Sequence, residues 1–386
     1  MKNEINNERM KILIDKRLSD DYISGFIQGD GSFSVGLSIT KNKKETKIYL
    51  RPLFTLTQHN NNILLIEKII ERFGNIGTYS IDNNNIIRYR ISKLEDIKDI
   101  IIPFFDKYQL KEDKLLSYIK FKFIVNKLLE IEKEKRWLSL NFENKYDRLF
   151  IDLITISTNM NPLVKPSVQL QLMNKTNKDI ILNNKLSTNI LKELNNFIKN
   201  FNYENNLNIN FINGLFDSDG WITIGIRITK QNYLSLVIVY GIVSDIFNSK
   251  LLDNIKKDIF NNIGNIAERT DERSVSYYLN KKNVLSYILP KIYNISNYKE
   301  ILINHDDLNK ISSNGPIIKD SKVINILKIL DLELEYKKTE NKNKKIKILN
   351  NILVLSYENR SNSLRNKENL NSYLIRMKEK LHVLYI

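Results

Sequence analysis

The sequence predicts an α+β fold in which two pseudo-symmetric αββαββα repeats are followed by a helical C-terminal extension. The segment DYISGFIQGDG at 21–31 recurs as NFINGLFDSDG at 210–220. Further pairs of similar segments follow in the same order in both halves. Strictly alternating apolar and polar residues come directly after each of the two eleven-residue segments. We therefore expect two antiparallel sheets, each with helices packed on one face, because that arrangement buries the apolar side of a sheet.

The repeated flanks define the extent of each copy. The similar pairs are FGNIG at 73–77 with IGNIA at 263–267, IKDIIIP at 97–103 with VLSYILP at 284–290, and KYQLKEDK at 107–114 with IYNISNYK at 292–299. Beyond about 310 the chain is expected to have no counterpart in the first copy. The expected segments are an N-terminal extension at 1–19, a first repeat at 20–134, a partly folded connection at 135–208, a second repeat at 209–310 and a basic helical extension at 311–386.

Each repeat predicts the same order of elements. A helix at about 20–30 and 209–219 is followed by two alternating strands. An apolar-periodic helix comes next, at Ile63–Arg72 and Ile246–Asn261, and then a second pair of strands and a helix that ends at the shared proline.

Small residues occur at every fourth position of the two opening helices. Positions four apart share one helix face, and small residues there let two helix backbones approach closely. We therefore expect a helix interface at Gly25, Gly29, Gly214 and Ser218, with two ordinary core helices as the alternative. Gly31 and Gly220 are expected to end the helices in the left-handed conformation.

Asp30 and Asp219 are the last residues of these helices, and the pairing predicts that they lie side by side. A carboxylate is unfavourable at a helix C-terminus, and two adjacent carboxylates repel each other. A divalent cation would offset both costs, and Mg²⁺ binds carboxylate oxygens together with water and phosphate. The pair therefore predicts metal-assisted hydrolysis of a nucleic-acid backbone.

Composition narrows the possible chemistry. The chain has 60 Lys and Arg against 44 Asp and Glu, a net charge of +16, which favours a polyanionic partner. The absence of cysteine excludes disulfides, thiolate metal sites and cysteine nucleophiles, and only three histidines are present. No apolar run is long enough to span a bilayer, so no membrane partner is expected.

ISGFIQGDG and INGLFDSDG resemble the two signature helices of the LAGLIDADG homing endonucleases, and the FGNIG turn after the apolar-periodic helix and the repeat order are also similar. The resemblance implies a monomer with saddle-shaped sheets that straddle DNA. It also implies an intron-encoded endonuclease of an organelle, most often the mitochondrion, using Mg²⁺ or another divalent cation such as Mn²⁺. Its metal-binding carboxylates fall on Asp30 and Asp219. Gln28 departs from the signature, where the second copy has Asp217.

The family resemblance also implies a basic residue near the scissile phosphate. The alignment of the repeats pairs Lys114 with Lys299, and Lys107 and Lys111 compete for this role. A lysine here would stabilise charge that develops on the phosphate.

The polar face of each predicted sheet is the expected surface for DNA. A β-ribbon enters the major groove, where Ser, Thr, Arg and Gln contact base edges and Lys contacts phosphate. The alternative is a solvated outer face. The expected contacts are Ser32, Ser34, Ser38, Thr40, Lys43, Lys44, Arg51, Thr55, Thr57, Arg88, Arg90, Thr223, Arg227, Thr229 and Gln231.

Three functions remain open at this point. The first is site-specific cleavage of a long, asymmetric double-stranded DNA target, since the two reading faces differ. The second is an RNA maturase that assists splicing of its own intron, with or without cleavage. The third is a non-catalytic DNA-binding regulator, whose binding would depend neither on metal nor on the two aspartates.

Overall fold

The structure is a computed structural model of the 386-residue chain. It describes residues 2–41, 46–139, 145–160, 186–204, 206–228, 233–269, 273–295, 315–360 and 369–381. The chain forms two compact units, Met1–Phe26 with Leu207–Ile386 and Ile27–Asn206. These units divide the chain differently from the five segments expected from the sequence, because the first repeat's opening helix contributes to both.

The first half of the chain contains the predicted first repeat. Its elements are α1 (Lys2–Arg17), α2 (Asp20–Asp30), β1 (Gly31–Lys41), β2 (Thr46–His59), α3 (Ile63–Arg72), β3 (Thr78–Ile81), β4 (Ile86–Ile91), α4 (Leu94–Asp96), α5 (Ile102–Lys107), α6 (Glu112–Glu130), β5 (Leu138–Ser139), α7 (Asp147–Thr158) and α8 (Thr188–Lys199). A π-helical turn, Ile97–Ile101, joins α4 to α5.

The first sheet is antiparallel, with the strand order β1-β2-β4-β3 and the short β5 paired with β2. Its inner face is covered by helices and packed with aromatic side chains. Phe33 lies at the centre, with its ring centroid 5.2 Å from that of Phe105 and 5.3 Å from that of Phe121. Both α6 and α7 contact β1. The strands therefore bury alternate residues, as the period-2 pattern predicts.

The second half repeats this order. Its elements are α9 (Ile209–Asp219), β6 (Gly220–Ile228), β7 (Leu234–Asp245), α10 (Ser249–Asn254), β8 (Asn265–Arg269), β9 (Ser274–Asn280), α11 (Lys281–Asn283), α12 (Asp320–Lys338), α13 (Lys342–Arg360) and α14 (Leu370–Lys380). Π-helical turns follow α10 and α11. The sheet order, β6-β7-β9-β8, matches that of the first copy. The predicted α+β class and its two antiparallel sheets are confirmed.

One tyrosine in each copy shows how the turns before β3 and β8 correspond. The Tyr89 hydroxyl donates to the Ile76 carbonyl, and the Tyr277 hydroxyl donates to the Ile263 carbonyl, both at 2.7 Å. Gly77 and Gly264 follow these carbonyls with φ of +80° and +97°, which glycine adopts without strain. Gly264 is therefore the counterpart of Gly77. The sequence alignment of FGNIG with IGNIA was three residues out of register.

The C-terminal segment does have a counterpart in the first copy, contrary to the expectation from the sequence. Helix α12 has 19 residues, like α6, and begins in IKDSK where α6 begins in LKEDK. Helix α13 follows α12 and packs on β6, where the Ser356 hydroxyl donates to the Ile224 carbonyl at 3.0 Å. Residues 296–314, outside the described part of the chain, separate α12 from the preceding helix, which is why the similarity is hidden in the sequence.

The described part of the connection is folded onto the first repeat. The Asp152 carboxylate of α7 accepts hydrogen bonds from the Ser187 backbone N–H at 3.0 Å and from the Ser187 hydroxyl at 2.7 Å. Lys127 of α6 pairs with Glu193 of α8 at 2.8 Å. Among the described helices, none is both long and apolar enough to cross a membrane.

Candidate active site and nucleic-acid interface

The opening helices of the two copies begin with the same kind of cap. The Ser19 hydroxyl accepts from the Tyr22 N–H at 3.2 Å, and the side-chain Oδ1 of Asn208 accepts from the Phe211 N–H at 2.9 Å. A side chain at this position satisfies an N–H that has no partner inside the helix. The first turn of both α2 and α9 is thereby fixed.

Within the first unit, residues 20–26 of α2 cross α9 at two glycines. A Cβ atom at Gly25 would overlap the carbonyl of Phe211. A Cβ atom at Gly214 would overlap the Tyr22 carbonyl oxygen and lie 2.7 Å from the Phe26 nitrogen. The two backbones therefore touch only because both positions lack a side chain. Ser218 donates to the Leu215 carbonyl of its own helix at 2.9 Å, and Gly29 is a partly exposed position near the end of α2.

The glycines after the helices act differently from the expectation. Gly220 has φ −81° and ψ 154°, which is extended backbone, and Gly31 is likewise absent from the positive-φ glycines. A Cβ atom at Gly31 would lie 2.7 Å from the Ile27 carbonyl oxygen, and one at Gly220 would overlap that of Phe216. The prediction of left-handed residues was wrong. Glycine is required here because the strand starts directly against the last helical turn.

Asp30 is partly exposed at the end of α2 and has an identified partner. The Gln58 side-chain amide donates to Asp30 Oδ2 at 2.7 Å, and Gln58 Oε1 accepts from the His59 N–H at 2.8 Å. The carboxylate is therefore oriented by an amide that is itself held. Lys114 Nζ donates to the carbonyl oxygen of Gly31, the residue directly after Asp30.

Gln58 was not predicted from the sequence. It lies in the alternating TLTQH segment of β2, and it is two residues beyond Leu56, which pairs with Gly31. That strand register brings the end of β2 beside the end of α2, but only a correct pairing of strands reveals it. Asp219 holds the matching position at the end of α9 and is also partly exposed. Ser244 occupies the position of Gln58, because Ile242 pairs with Gly220.

A buried side chain in each opening helix, α2 and α9, binds the backbone at the start of a long helix, α6 and α12 respectively. Gln28 Nε2 donates to the Lys111 carbonyl at 3.2 Å, and Gln28 Oε1 accepts from the Lys111 N–H at 2.9 Å. Asp217 accepts from the Tyr22 hydroxyl at 2.6 Å and from the backbone N–H groups of Ile317, Ile318 and Lys319. Burial raises the pKa of Asp217, and these donors act in the opposite direction. Gln28 therefore differs from the signature residue but has the same structural role as Asp217, which is to hold the start of a long helix.

These anchors pair Lys111 with Lys319, and so Lys114 with Lys322. The expected partner, Lys299, lies outside the described residues. Lys322 is partly buried on α12, where desolvation and the neighbouring Lys319 lower its pKa to about 8. We therefore propose Lys322, in place of Lys299, as the second basic residue, since the insertion at 296–314 displaced the sequence alignment.

Replacing Lys322 with methionine is expected to stabilise the protein near neutral pH. The folded-state pKa of about 8 lies below the ordinary 10.5, so the cost of burying the ammonium group is fully present below pH 8 and is relieved between pH 8 and 10.5. We expect the free energy of unfolding to rise by about 2 kcal/mol at pH 7 and the gain to shrink towards pH 10. Urea unfolding at both pH values measures this effect. Lys328→Met, at an exposed position of the same helix, is the control, and equal stability of the Lys322 variant and wild type at pH 7 would contradict the account.

The outer face of the first sheet carries most of the predicted DNA contacts. Ser32, Thr55 and Arg90 form one row across β1, β2 and β4, and Thr57 pairs with Arg88 in the next. The remaining described contacts on this face are Ser34, Ser38, Thr40 and Arg51, and Arg51 Nε donates to the Ser38 hydroxyl at 2.8 Å. Arg88 also pairs with Asp82 at 2.9 Å. Lys43 and Lys44 lie outside the described residues.

The outer face of the second sheet has fewer of the predicted residues. Thr223 is partly exposed beside Val239, and Arg227 is exposed beside Ser235. Thr229 and Gln231 lie outside the described residues. The structure therefore places the described candidates of each repeat on one sheet face, directly after the strand-opening glycine.

Comparison with known proteins supports a common family. The LAGLIDADG endonuclease family model matches residues 23–125. A protein named probable intron-encoded endonuclease 3 of Neurospora crassa is 34% identical over 113 residues, which is 29% of this chain and 21% of the relative. The chain thus spans about a fifth of the length of that relative. Probable intron-encoded DNA endonuclease 1 of Mycosarcoma maydis is 25% identical over 70% of this chain and 90% of its own length.

A solved structure has a similar fold. I-SmaMI bound to an uncleaved DNA target in the presence of calcium ions aligns with a TM-score of 0.61 at 21% identity, covering 88% of this chain and 98% of I-SmaMI. The order of elements, the paired signature helices and these relatives agree with one another. Residues 23–125 therefore match the LAGLIDADG endonuclease family, and the chain is similar over most of its length to an intron-encoded relative and to a solved structure.

Proposed function

We propose that this chain is a site-specific endonuclease that hydrolyses double-stranded DNA with divalent metal held by Asp30 and Asp219. The observation that carries the proposal is the setting of Asp30. The Gln58 amide orients the Asp30 carboxylate. Lys114 donates a hydrogen bond to the carbonyl of Gly31, the residue after Asp30, and the polar sheet face begins at this residue. A carboxylate, a lysine ammonium group and the first residues of a polar sheet face thus lie together at the end of α2.

The chemistry of the donors fits a hard divalent cation. Asp30 and Asp219 are partly exposed carboxylates at helix C-termini, where the helix dipole adds negative potential. Oxygen donors of this kind suit Mg²⁺, which keeps water and phosphate among its ligands, and Mn²⁺ is an acceptable substitute. When bound, the metal would lower the pKa of a water molecule and stabilise charge on the phosphate oxygens.

The protein's own groups have separate tasks in this proposal. Gln58 holds Asp30 in one orientation, and Gln28 and Asp217 fix the helices that carry Lys114 and Lys322. Each lysine would stabilise negative charge that develops on a phosphate. The serine, threonine and arginine side chains of the sheet faces bind the duplex and set its register.

The substrate we propose is a long, asymmetric duplex site, because the two sheet faces differ at equivalent positions. A single chain that contains both copies supplies both faces, so we propose a monomer. Two curated relatives are named intron-encoded and come from fungi, which supports an organelle, most often the mitochondrion, as the place of action.

The function is tested with a duplex that joins the host gene's exons without the intervening intron. We expect cutting at one site with Mg²⁺ or Mn²⁺, and binding without cutting when a chelator removes the metal. Sequencing of the cut ends locates the site on both strands. Binding of this duplex with no cutting under any divalent metal would favour the non-catalytic regulator.

An RNA maturase is the second candidate function, because exposed lysines outside the two sheets could bind RNA phosphates. Lys342 and Lys347 are exposed on the first turns of α13. The same purified protein is therefore assayed with its own intron RNA. Tight, specific binding of this RNA without recognition of the exon-junction duplex would replace the endonuclease proposal by the maturase.

Replacing Gln58 with alanine is expected to slow cutting about tenfold to a hundredfold, which is the usual cost of removing a group that orients a metal-binding side chain. DNA binding should change little, because Gln58 contacts Asp30 at 2.7 Å. Single-turnover cutting rates at saturating protein measure this effect. Ser244→Ala, at the equivalent position of the second copy, is the control. An unchanged rate for Gln58→Ala would show that the amide does not orient the carboxylate.

A further inference from the structure

The central strands of the two sheets present different chemistry at equivalent positions. Gly31 pairs with Leu56 in β2, and Gly220 pairs with Ile242 in β7, which aligns the two strands residue by residue. On the outer face, β2 carries Arg51, Leu53, Thr55 and Thr57, whereas β7 carries Val237, Val239, Gly241 and Val243. The second sheet thus has three valines and a glycine where the first has three hydrogen-bonding side chains and one leucine.

The neighbouring strand shows the same contrast. In the first sheet Thr55 and Thr57 pair with Arg90 and Arg88 of β4. The equivalent positions of β9 are Tyr278, which pairs with Gly241, and Ser276, which pairs with Val243. The two arginines of β4 are therefore replaced by a serine and a tyrosine at the matching positions of β9.

The valines are accessible from the outer side. Val243 is 37% exposed, and Val237 and Val239 are partly exposed. Gly225 pairs with Val237 and adds no side chain beside it. The Trp221 indole packs against Gly241, since a Cβ atom there would be 2.7 Å from the ring. The centre of this face is therefore an apolar strip, formed by the valines and the Trp221 indole, on a protein whose net charge is +16.

We infer that the second sheet recognises its DNA half-site through the C5 methyl groups of thymine, which contact Val237, Val239 and Val243. This inference rests on the proposed function. In the major groove, thymine is the one base that presents an apolar group, and its methyl is read by apolar side chains. Arginines bind guanine instead, so the first sheet is suited to a half-site of mixed composition.

The test is a selection of bound duplexes from two random libraries, one made with thymidine and one with deoxyuridine, which lacks only the C5 methyl. With thymidine we expect both half-sites to be enriched, one of them in A·T pairs. With deoxyuridine that half-site should lose its enrichment, and each methyl removed from the selected site should weaken binding about fourfold. The other half-site should be retained.

Variants assign the half-sites to the sheets. Val237→Ser, Val239→Ser and Val243→Ser together should relax the A·T-rich half-site, whereas Val239→Ile keeps the apolar strip and should preserve it. Arg90→Ala should relax the other half-site. Thermal unfolding of each variant confirms that it is folded.

The outcomes separate this inference from the proposed function. Equal enrichment of both half-sites in the two libraries would overturn methyl recognition and leave DNA cleavage intact. No enriched sequence in the thymidine library would overturn specific DNA recognition itself, and the inference with it.

Discussion

Replacing Gly214 with alanine is expected to lower the free energy of unfolding by about 3 kcal/mol or more, at the upper end for overpacking. The added Cβ atom would overlap the Tyr22 carbonyl oxygen and lie 2.7 Å from the Phe26 nitrogen. Both are backbone atoms, which cannot rotate away, so α2 and α9 would have to separate. Urea denaturation followed by circular dichroism measures the change. Gly25→Ala should behave in the same way, because its Cβ atom would overlap the Phe211 carbonyl.

The matched control is Gly225→Ala in β6. A Cβ atom there would lie 3.6 Å from the Val237 Cβ, which is ordinary van der Waals contact. This variant should be neutral or slightly stabilising, since alanine loses less backbone entropy than glycine on folding. If Gly214→Ala were as stable as Gly225→Ala, the close approach of α2 and α9 would be refuted.

Replacing Asp217 with alanine is expected to cost about 4 kcal/mol, because several buried donors lose their acceptor at about 1–3 kcal/mol each. The carboxylate accepts from the Tyr22 hydroxyl and from three consecutive N–H groups at the start of α12. Differential scanning calorimetry measures the effect. Gln28→Ala in the first copy removes two hydrogen bonds to Lys111 and should cost about half as much.

Tyr22→Phe separates the parts of this anchor. It removes one donor and leaves the three backbone bonds, so we expect a loss of about 1 kcal/mol. A loss for Asp217→Ala no greater than that for Tyr22→Phe would mean that the anchor does not hold α12 in place.

The paired helices and their aspartates could be predicted from the sequence because their signal is local and occurs twice. Gly25, Gly214, Asp30 and Asp219 lie within two eleven-residue segments whose spacing follows the helix period. The residues on each strand face follow a period of two and could be predicted in the same way. Position in such elements is set by a regular repeat, so it can be predicted without tertiary contacts.

Features that depend on tertiary contacts could not be predicted. Lys322 is the counterpart of Lys114 only through side-chain bonds from Gln28 and Asp217 to backbone, and the insertion at 296–314 displaced the alignment towards Lys299. Gln58 becomes significant only once β2 is paired with β1. The C-terminal helices appeared unrelated to the first copy for the same reason.

The central claim is that both aspartates carry the chemistry, and cutting by Asp30→Asn, Asp219→Asn and the double variant tests it most directly. Wild type and variants are compared on one supercoiled plasmid with a single target site, with Mg²⁺, and binding is measured on the same duplex. Asp99→Asn, an exposed carboxylate elsewhere, is the control. We expect the double variant to bind within a few-fold of wild type and to cut at least about a thousandfold more slowly, because several kcal/mol of charge stabilisation are lost. Cutting by the double variant at the wild-type rate would contradict the account.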